Sequence, residues 1–168
     1  APALLMRMDS RAGVGRNPMA GIPSMRRQPA PPGILRFDHW VVPRLPATPL
    51  ADARVCVLTS ASTISAAEHL ALALQHSGRA RIVGERTSGA GHYGPIVRLA
   101  DGFAAFIPVG RSYEADSGVG WEGTGVAPDI AVPQQQALAT ALSVCAGPES
   151  ATRQPADTDK PLQSGESR

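Results

Sequence analysis

Long apolar runs are missing from this chain: no stretch approaches the roughly 20 consecutive apolar residues that a membrane-spanning helix needs, so no integral membrane segment is expected. The first eleven residues also lack the apolar stretch of a signal peptide, although a chain that opens on Ala1 leaves its compartment undecided. Cysteine is scarce, with Cys56 inside an apolar run and Cys145 near the end of an expected helix. Their wide separation gives neither a CxxC metal pattern nor a disulfide framework, so both are expected as small core residues. A strong charge of either sign is lacking too, the net charge being +2. The small basic excess sits in residues 1–50, where seven arginines face only Asp9 and Asp38. A basic arm can bind nucleic acid or anionic lipid, but neither aromatic interleaving nor a nucleic-acid motif accompanies this one. A solvated arginine-rich linker with no nucleic-acid partner is the expected reading.

The length suits one ordinary domain, but the residues are unevenly spread. Residues 1–50 hold all four methionines and many of the prolines, with no sustained apolar period, and are expected to form an irregular arm. Residues 147–168 are polar and mixed in charge, as in a disordered tail. That leaves residues 51–146 as the folded unit, small enough to expect a fragment of a larger protein.

Within that unit, residues 54–59 are β-branched and apolar like a buried strand, and they lead into a small-residue loop. From Ser65 the chain reads as a helix over residues 66–76, stopped by Ser77 and Gly78. Residues 79–83 read as a second strand, and strand, helix, strand favours parallel pairing. A glycine-dense loop over 84–94 follows. Two short strands then flank Asp101 and Gly102, a hairpin signal. Another loop, a strand over 126–130 and a helix from about Gln134 to Cys145 complete an α/β layer with a mixed sheet.

Ser65 stands where a strand hands over to a helix. Backbone N–H groups there are unpaired and partly positive, so a hydroxyl can attack a carbonyl whose developing oxyanion meets neighbouring amides. The same segment also spells a capping box, Ser65 and Glu68 matching S-x-x-E, and spacing alone favours the cap. Gly89, Gly91 and Gly94 match G-x-G-x-x-G, but Pro95 and an alternating strand follow where a nucleotide site needs a helix, and the dinucleotide reading is rejected. Among the histidines, His39, His69, His76 and His92 show no metal-ligand spacing, and no metal site is expected. His92, on the glycine loop, is the one kept as a candidate site residue. Glu122, between Trp121 and two glycines, is either a held carboxylate partner or an exposed loop glutamate.

Taken together, the blocks at 57–60, 63–68, 78–85, 101–103 and 121–129 resemble peptidase family S41, the tail-specific or C-terminal-processing proteases. Their order and spacing match over residues 54 to about 142. The resemblance implies a ββα-superhelix fold similar to Clp proteases and crotonases, incomplete in this chain. It also implies a serine endopeptidase acting on unfolded or tagged polypeptides through an acyl-enzyme, with no metal or organic cofactor. Ser65 falls on the nucleophile and Ala66 on an oxyanion-hole N–H. In one branch a lysine twenty-five residues later is the base, and here that position is Ala90. The chain looks more like the branch of tricorn-type proteases and retinoid-binding repeats, whose base is an upstream histidine and whose late glutamate assists through a second serine. Glu122 matches that glutamate, and His92 a histidine common in the loop. The upstream histidine and the family's glycine-rich oxyanion strand find no match in residues 1–50, His39 lying too near the core.

Two readings follow. One is a peptidase using Ser65; the other is a non-catalytic module of the same fold that binds a hydrophobic ligand, with Ser65 only a helix cap. A crotonase-like acyl-CoA enzyme is a third, by fold analogy alone. The family suggests export to the periplasm or beyond. Oligomeric state and substrate sequence are not readable.

Overall fold

A computed structural model describes residues 3–14, 21–41 and 52–146. Its parallel unit follows the strand, helix, strand order of the sequence. β4 (Cys56–Thr59) leads into α1 (Ala66–His76), and β5 (Arg81–Gly84) returns parallel to β4, with β10 (Ile130–Ala131) parallel on its other side. α1 ends as its sequence signals, with Ser77 closing the last turn and Gly78 at φ +67°. Asp129 ties this unit together, its carboxylate accepting from the Ile82 N–H at 2.7 Å and from the Gln75 amide at 2.9 Å. The hairpin also forms: β7 (Ile96–Arg98) and β8 (Ala104–Phe106) pair antiparallel across Asp101 and Gly102, both at positive φ.

Residues 1–50 are not an irregular arm where they are described. β1 (Ala3–Arg11), β2 (Met25–Gln28) and β3 (Ile34–Val41) join β9 (Gly110–Tyr113) and β6 (His92–Tyr93) in a five-stranded antiparallel sheet of order β2-β3-β1-β9-β6. The two faces of that sheet differ in chemistry. In register, Arg7 sits opposite Asp38 and Asp9 opposite Arg36, and each pair closes a two-pronged ion pair with leading bonds of 2.6 and 2.7 Å. The Tyr113 hydroxyl adds a 2.9 Å bond to Asp9. Burial alone would raise the Asp9 carboxyl, but Arg36 and Tyr113 outweigh it and hold its pKa below the ordinary value. On the opposite face Met6, Met8 and Ser10 stand against His39, Phe37 and Leu35. The alternation that hides these strands is short and displaced by a register shift between Leu4 and Met6, and the arginines read as surface charge until their aspartates are placed across the strand.

The core joins both sheets: Leu5 and Met6 of β1 meet Ala71 and Ala73 of α1, Ile82 of β5, Trp121 and Val126. Helix α2 (Gln134–Ala146) packs on β4 and β5 but buries only Ala137 and Ala141, leaving Leu138 and Leu142 exposed. A disulfide between Cys56 of β4 and Cys145 of α2 compensates for that thin contact. This corrects the expectation of two isolated core cysteines. Sequence distance concealed the pair because β4 and the end of α2 are 89 residues apart in the chain yet have Cα atoms only 6.4 Å apart. Residues 147–168 lie outside the described residues, so the expected tail does too. No helix among the described residues is long and apolar enough to cross a membrane.

One buried carboxylate fixes the loop that will matter most. Glu68, fully buried on α1, accepts from the Ser65 N–H (2.7 Å), Gly89 N–H (2.6 Å), Ala90 N–H (2.9 Å) and the Thr87 hydroxyl (2.5 Å). Burial works to raise its pKa, and the four donors overcome it, leaving the group below its ordinary 4.5. Gly89 must be glycine for this: its φ is +95°, and an added Cβ would press on the backbone of Gly123, Thr124 and Gly125 at 3.1–3.2 Å.

Two predictions follow from this frame. Replacing Cys56 and Cys145 by alanine should cost about 3 kcal/mol in chemical denaturation, because the bridge closes a long loop in the unfolded chain. Glu68→Gln, which cannot accept all four donors, should cost about 2–4 kcal/mol at neutral pH. Since the folded pKa is depressed, the stability held by Glu68 is present above pH 4.5 and lost as pH falls through the lower folded value. The variant should therefore lose less stability than the wild type between pH 5 and pH 2, and parallel acid titrations would contradict the assignment.

Candidate active site

The turn into α1 holds Ser65 at φ +57° and ψ −116°. A non-glycine residue pays about 1–3 kcal/mol in such a region and stays only where its surroundings over-determine it. Here they do. Glu68 grips the Ser65 N–H from one turn ahead, and the preceding loop is tied down by the Ser60 N–H to the Thr63 hydroxyl (3.0 Å) and the Ser88 N–H to the Thr63 carbonyl (2.9 Å). Ser65 and Ala66 are both exposed and both line a cavity of about 760 Å³. Ala66 is the first helical residue, so its N–H is among the groups a helix leaves without an internal partner.

The cavity lies between the start of α1 and the less charged face of the antiparallel sheet. Met8, Met25 and Leu35 come from the sheet, Trp121 from the late loop, and Ala90 to Pro95 from the glycine loop. Two histidines that sequence spacing set aside also line it. His39, from β3, places Nδ1 3.1 Å from Nε2 of His69 on α1, with the rings 5.3 Å apart and tilted by 48°. His69 meets Trp121 edge to face at 5.8 Å. Burial first, and then the neighbouring His39, pushes the His69 pKa down to about 4; burial alone lowers His39 below 6.5. Both rings are therefore neutral near pH 7, and at 3.1 Å one donates and the other accepts. A signal for His69 existed in the sequence, since it follows Ser65 by four residues and so shares its side of the helix. His39 was hidden with the strand that carries it.

His92 also lines the cavity, with an exposed ring whose Nδ1 is 3.4 Å from Glu122 Oε1. Glu122 itself is not on the cavity wall. One of its oxygens accepts from the Gly91 and His92 N–H groups at 2.6 and 2.7 Å, so among the described residues it clamps the glycine loop and bonds to no second serine. The four successive N–H groups of residues 89–92 are thus all committed to Glu68 or Glu122. The only lysine of the chain, Lys160, lies outside the described residues. The glycine loop contains β6 and runs on into β7, both strands and not the helix a nucleotide site would need.

Among curated proteins, a carboxyl-terminal-processing protease of a Picosynechococcus species is 41% identical over 87 residues, which is 52% of this chain and 21% of that protein. The chloroplastic C-terminal processing peptidase of Tetradesmus obliquus is 43% identical over 84 residues, 50% of this chain and 17% of its own. The chain thus spans about a fifth of the length of the curated relatives it matches. A solved structure of mature CPAF complexed with lactacystin shares the fold at a TM-score of 0.50 and 23% identity, covering 63% of this chain and 21% of that one. The profile of peptidase family S41 matches residues 22–132, which reaches back across β2 and β3 as well as over the later blocks, and the chain belongs to that family.

Proposed function

We propose that this chain carries the catalytic centre of a serine-type peptidase, with Ser65 as nucleophile and His39 as general base. The observation that carries the reading is the strained Ser65 at the start of α1, opening on a cavity that also holds a neutral imidazole. Ser65 and His39 line the same cavity without a hydrogen bond between them, and the reading requires substrate binding to bring hydroxyl and imidazole together. In the reaction Ser65 Oγ bonds to the peptide carbonyl carbon as its proton passes to His39 Nε2. The carbonyl electron pair moves to oxygen, which faces the Ala66 N–H. Collapse breaks the C–N bond, the proton passes to the leaving amine, and water releases the acyl group by the same steps. No cofactor enters this sequence. Glu68 and Glu122 act on the loop and not on the substrate.

The substrate is an unfolded or tagged polypeptide, and the methionine- and leucine-lined cavity suits a bulky apolar side chain next to the cleaved bond. The disulfide fits an oxidising compartment, the periplasm or the exterior. The same apolar lining favours the second reading, a hydrophobic-ligand-binding module.

Cleavage of an unstructured protein, followed by mass spectrometry on the full-length protein, separates the two. Ser65→Ala should abolish cleavage. Ser65→Gly should abolish it as well while raising stability by about 1 kcal/mol, because glycine removes the strain at φ +57°. Saturable binding of a long-chain apolar ligand by wild type and Ser65→Ala alike, with cleavage by neither, would establish the module instead. The base must be neutral to act and its folded pKa is depressed, so the cleavage rate should fall as pH drops through a midpoint below 6.5. A midpoint above 7 would exclude His39.

A further inference from the structure

We propose that His69 is a positioning residue for His39, so that Ser65, His39 and His69 form a serine–histidine–histidine relay in which His69 takes the place usually held by a carboxylate. The inference rests on the peptidase reading of Ser65. A general base works when its far nitrogen is held in one tautomer by a third group, and that group is usually a carboxylate. Among the described residues, none that lines the cavity is an aspartate or glutamate. Four described carboxylates on the elements that frame it are engaged elsewhere. Glu68 is saturated by four donors, Glu122 clamps the glycine loop, and Asp9 and Asp38 are locked to Arg36 and Arg7 on the other face of the sheet.

What does meet His39 Nδ1 is His69 Nε2 at 3.1 Å. For that contact to serve the base, His39 carries its proton on Nδ1 and presents the Nε2 lone pair, while His69 carries its own on Nδ1 and accepts through Nε2. His69 is suited to accept because burial keeps it neutral. Its ring is fixed by α1 and by the edge-to-face contact with Trp121, one helical turn beyond Ser65. When His39 takes the serine proton, its Nδ1–H becomes a cationic donor and the bond to His69 strengthens, as hydrogen bonds with one charged partner do. The other ionisable side chains on the cavity wall are Arg11, His92 and Tyr93.

The test uses the full-length protein and a fluorophosphonate probe that reacts with activated serines, with the site mapped by mass spectrometry and the rate followed against pH. Labelling of wild type at Ser65 upholds the peptidase reading, and its absence removes that reading and the relay together. With Ser65 labelled, His69→Leu should slow the maximal rate by about tenfold or more. His69→Gln, whose side-chain oxygen can accept from His39 Nδ1–H, should restore most of it. His69→Asp should move the pH midpoint upward by about a unit or more, because a carboxylate favours the imidazolium. Leu and Gln variants that are equally slow, or an Asp variant with an unmoved midpoint, would overturn the relay while leaving Ser65 as nucleophile. Should the variants fail to fold, imidazole nitrogen NMR of the wild type decides: His39 and His69 both protonated on Nδ1 support the relay, and His39 protonated on Nε2 refutes it.

Discussion

The site depends on one buried anion. Among the described residues Glu68 has no cationic partner; its charge is met by three backbone N–H groups and a hydroxyl. Those donors come from the serine turn and from the glycine loop, segments more than twenty residues apart in sequence. A carboxylate taken out of water needs every one of its lone pairs answered, so the two segments cannot move independently. The unfavourable backbone at Ser65 is held by the same group. Glu122 repeats the device on the outer side of the loop with two more N–H groups, so both edges of the loop are set by acids on other elements.

Sequence patterns reached this frame in part. The parallel strands, α1 and the hairpin were legible because their signals are local: an apolar run, a glycine stop, an Asp-Gly turn. Glu68 was visible as the reach-back member of a capping box, but its bonds to residues 87–90 were not, since they depend on where the loop returns. The antiparallel strands were missed for a different reason. Arg7 and Asp9 look like solvated charges on a loose segment, and only the pairing with Asp38 and Arg36 makes them strand residues. The disulfide was missed because it depends on how the last helix docks and not on spacing. Of the site residues named from sequence, Ser65, Ala66 and His92 meet at the cavity, while Glu122 stands behind the loop.

The five-stranded sheet divides its labour between its faces. Ion pairs on one side lock the register of β1 and β3, and register is what presents Met8, Leu35 and His39 to the cavity on the other, because a slip of one residue would exchange the faces. Charged residues far from any reacting atom thereby determine where the proposed base points. The cavity wall is left largely apolar, and that environment keeps the two histidines neutral.

The Cys56–Cys145 bridge also divides the molecule topologically. It closes a covalent ring that contains the serine, both clamping glutamates, the glycine loop and Trp121, whereas β1, β2 and β3, with His39, lie outside it. The nucleophile and its proposed base thus belong to two segments joined by a single stretch of backbone between β3 and β4. A cut in that stretch would give two pieces that, among the described residues, are joined by sheet pairing, by the core contacts of Leu5 and Met6, and by side-chain bonds such as Tyr113 to Asp9 and His39 to His69. The proposed centre is in this sense already split, its two halves meeting across a non-covalent seam.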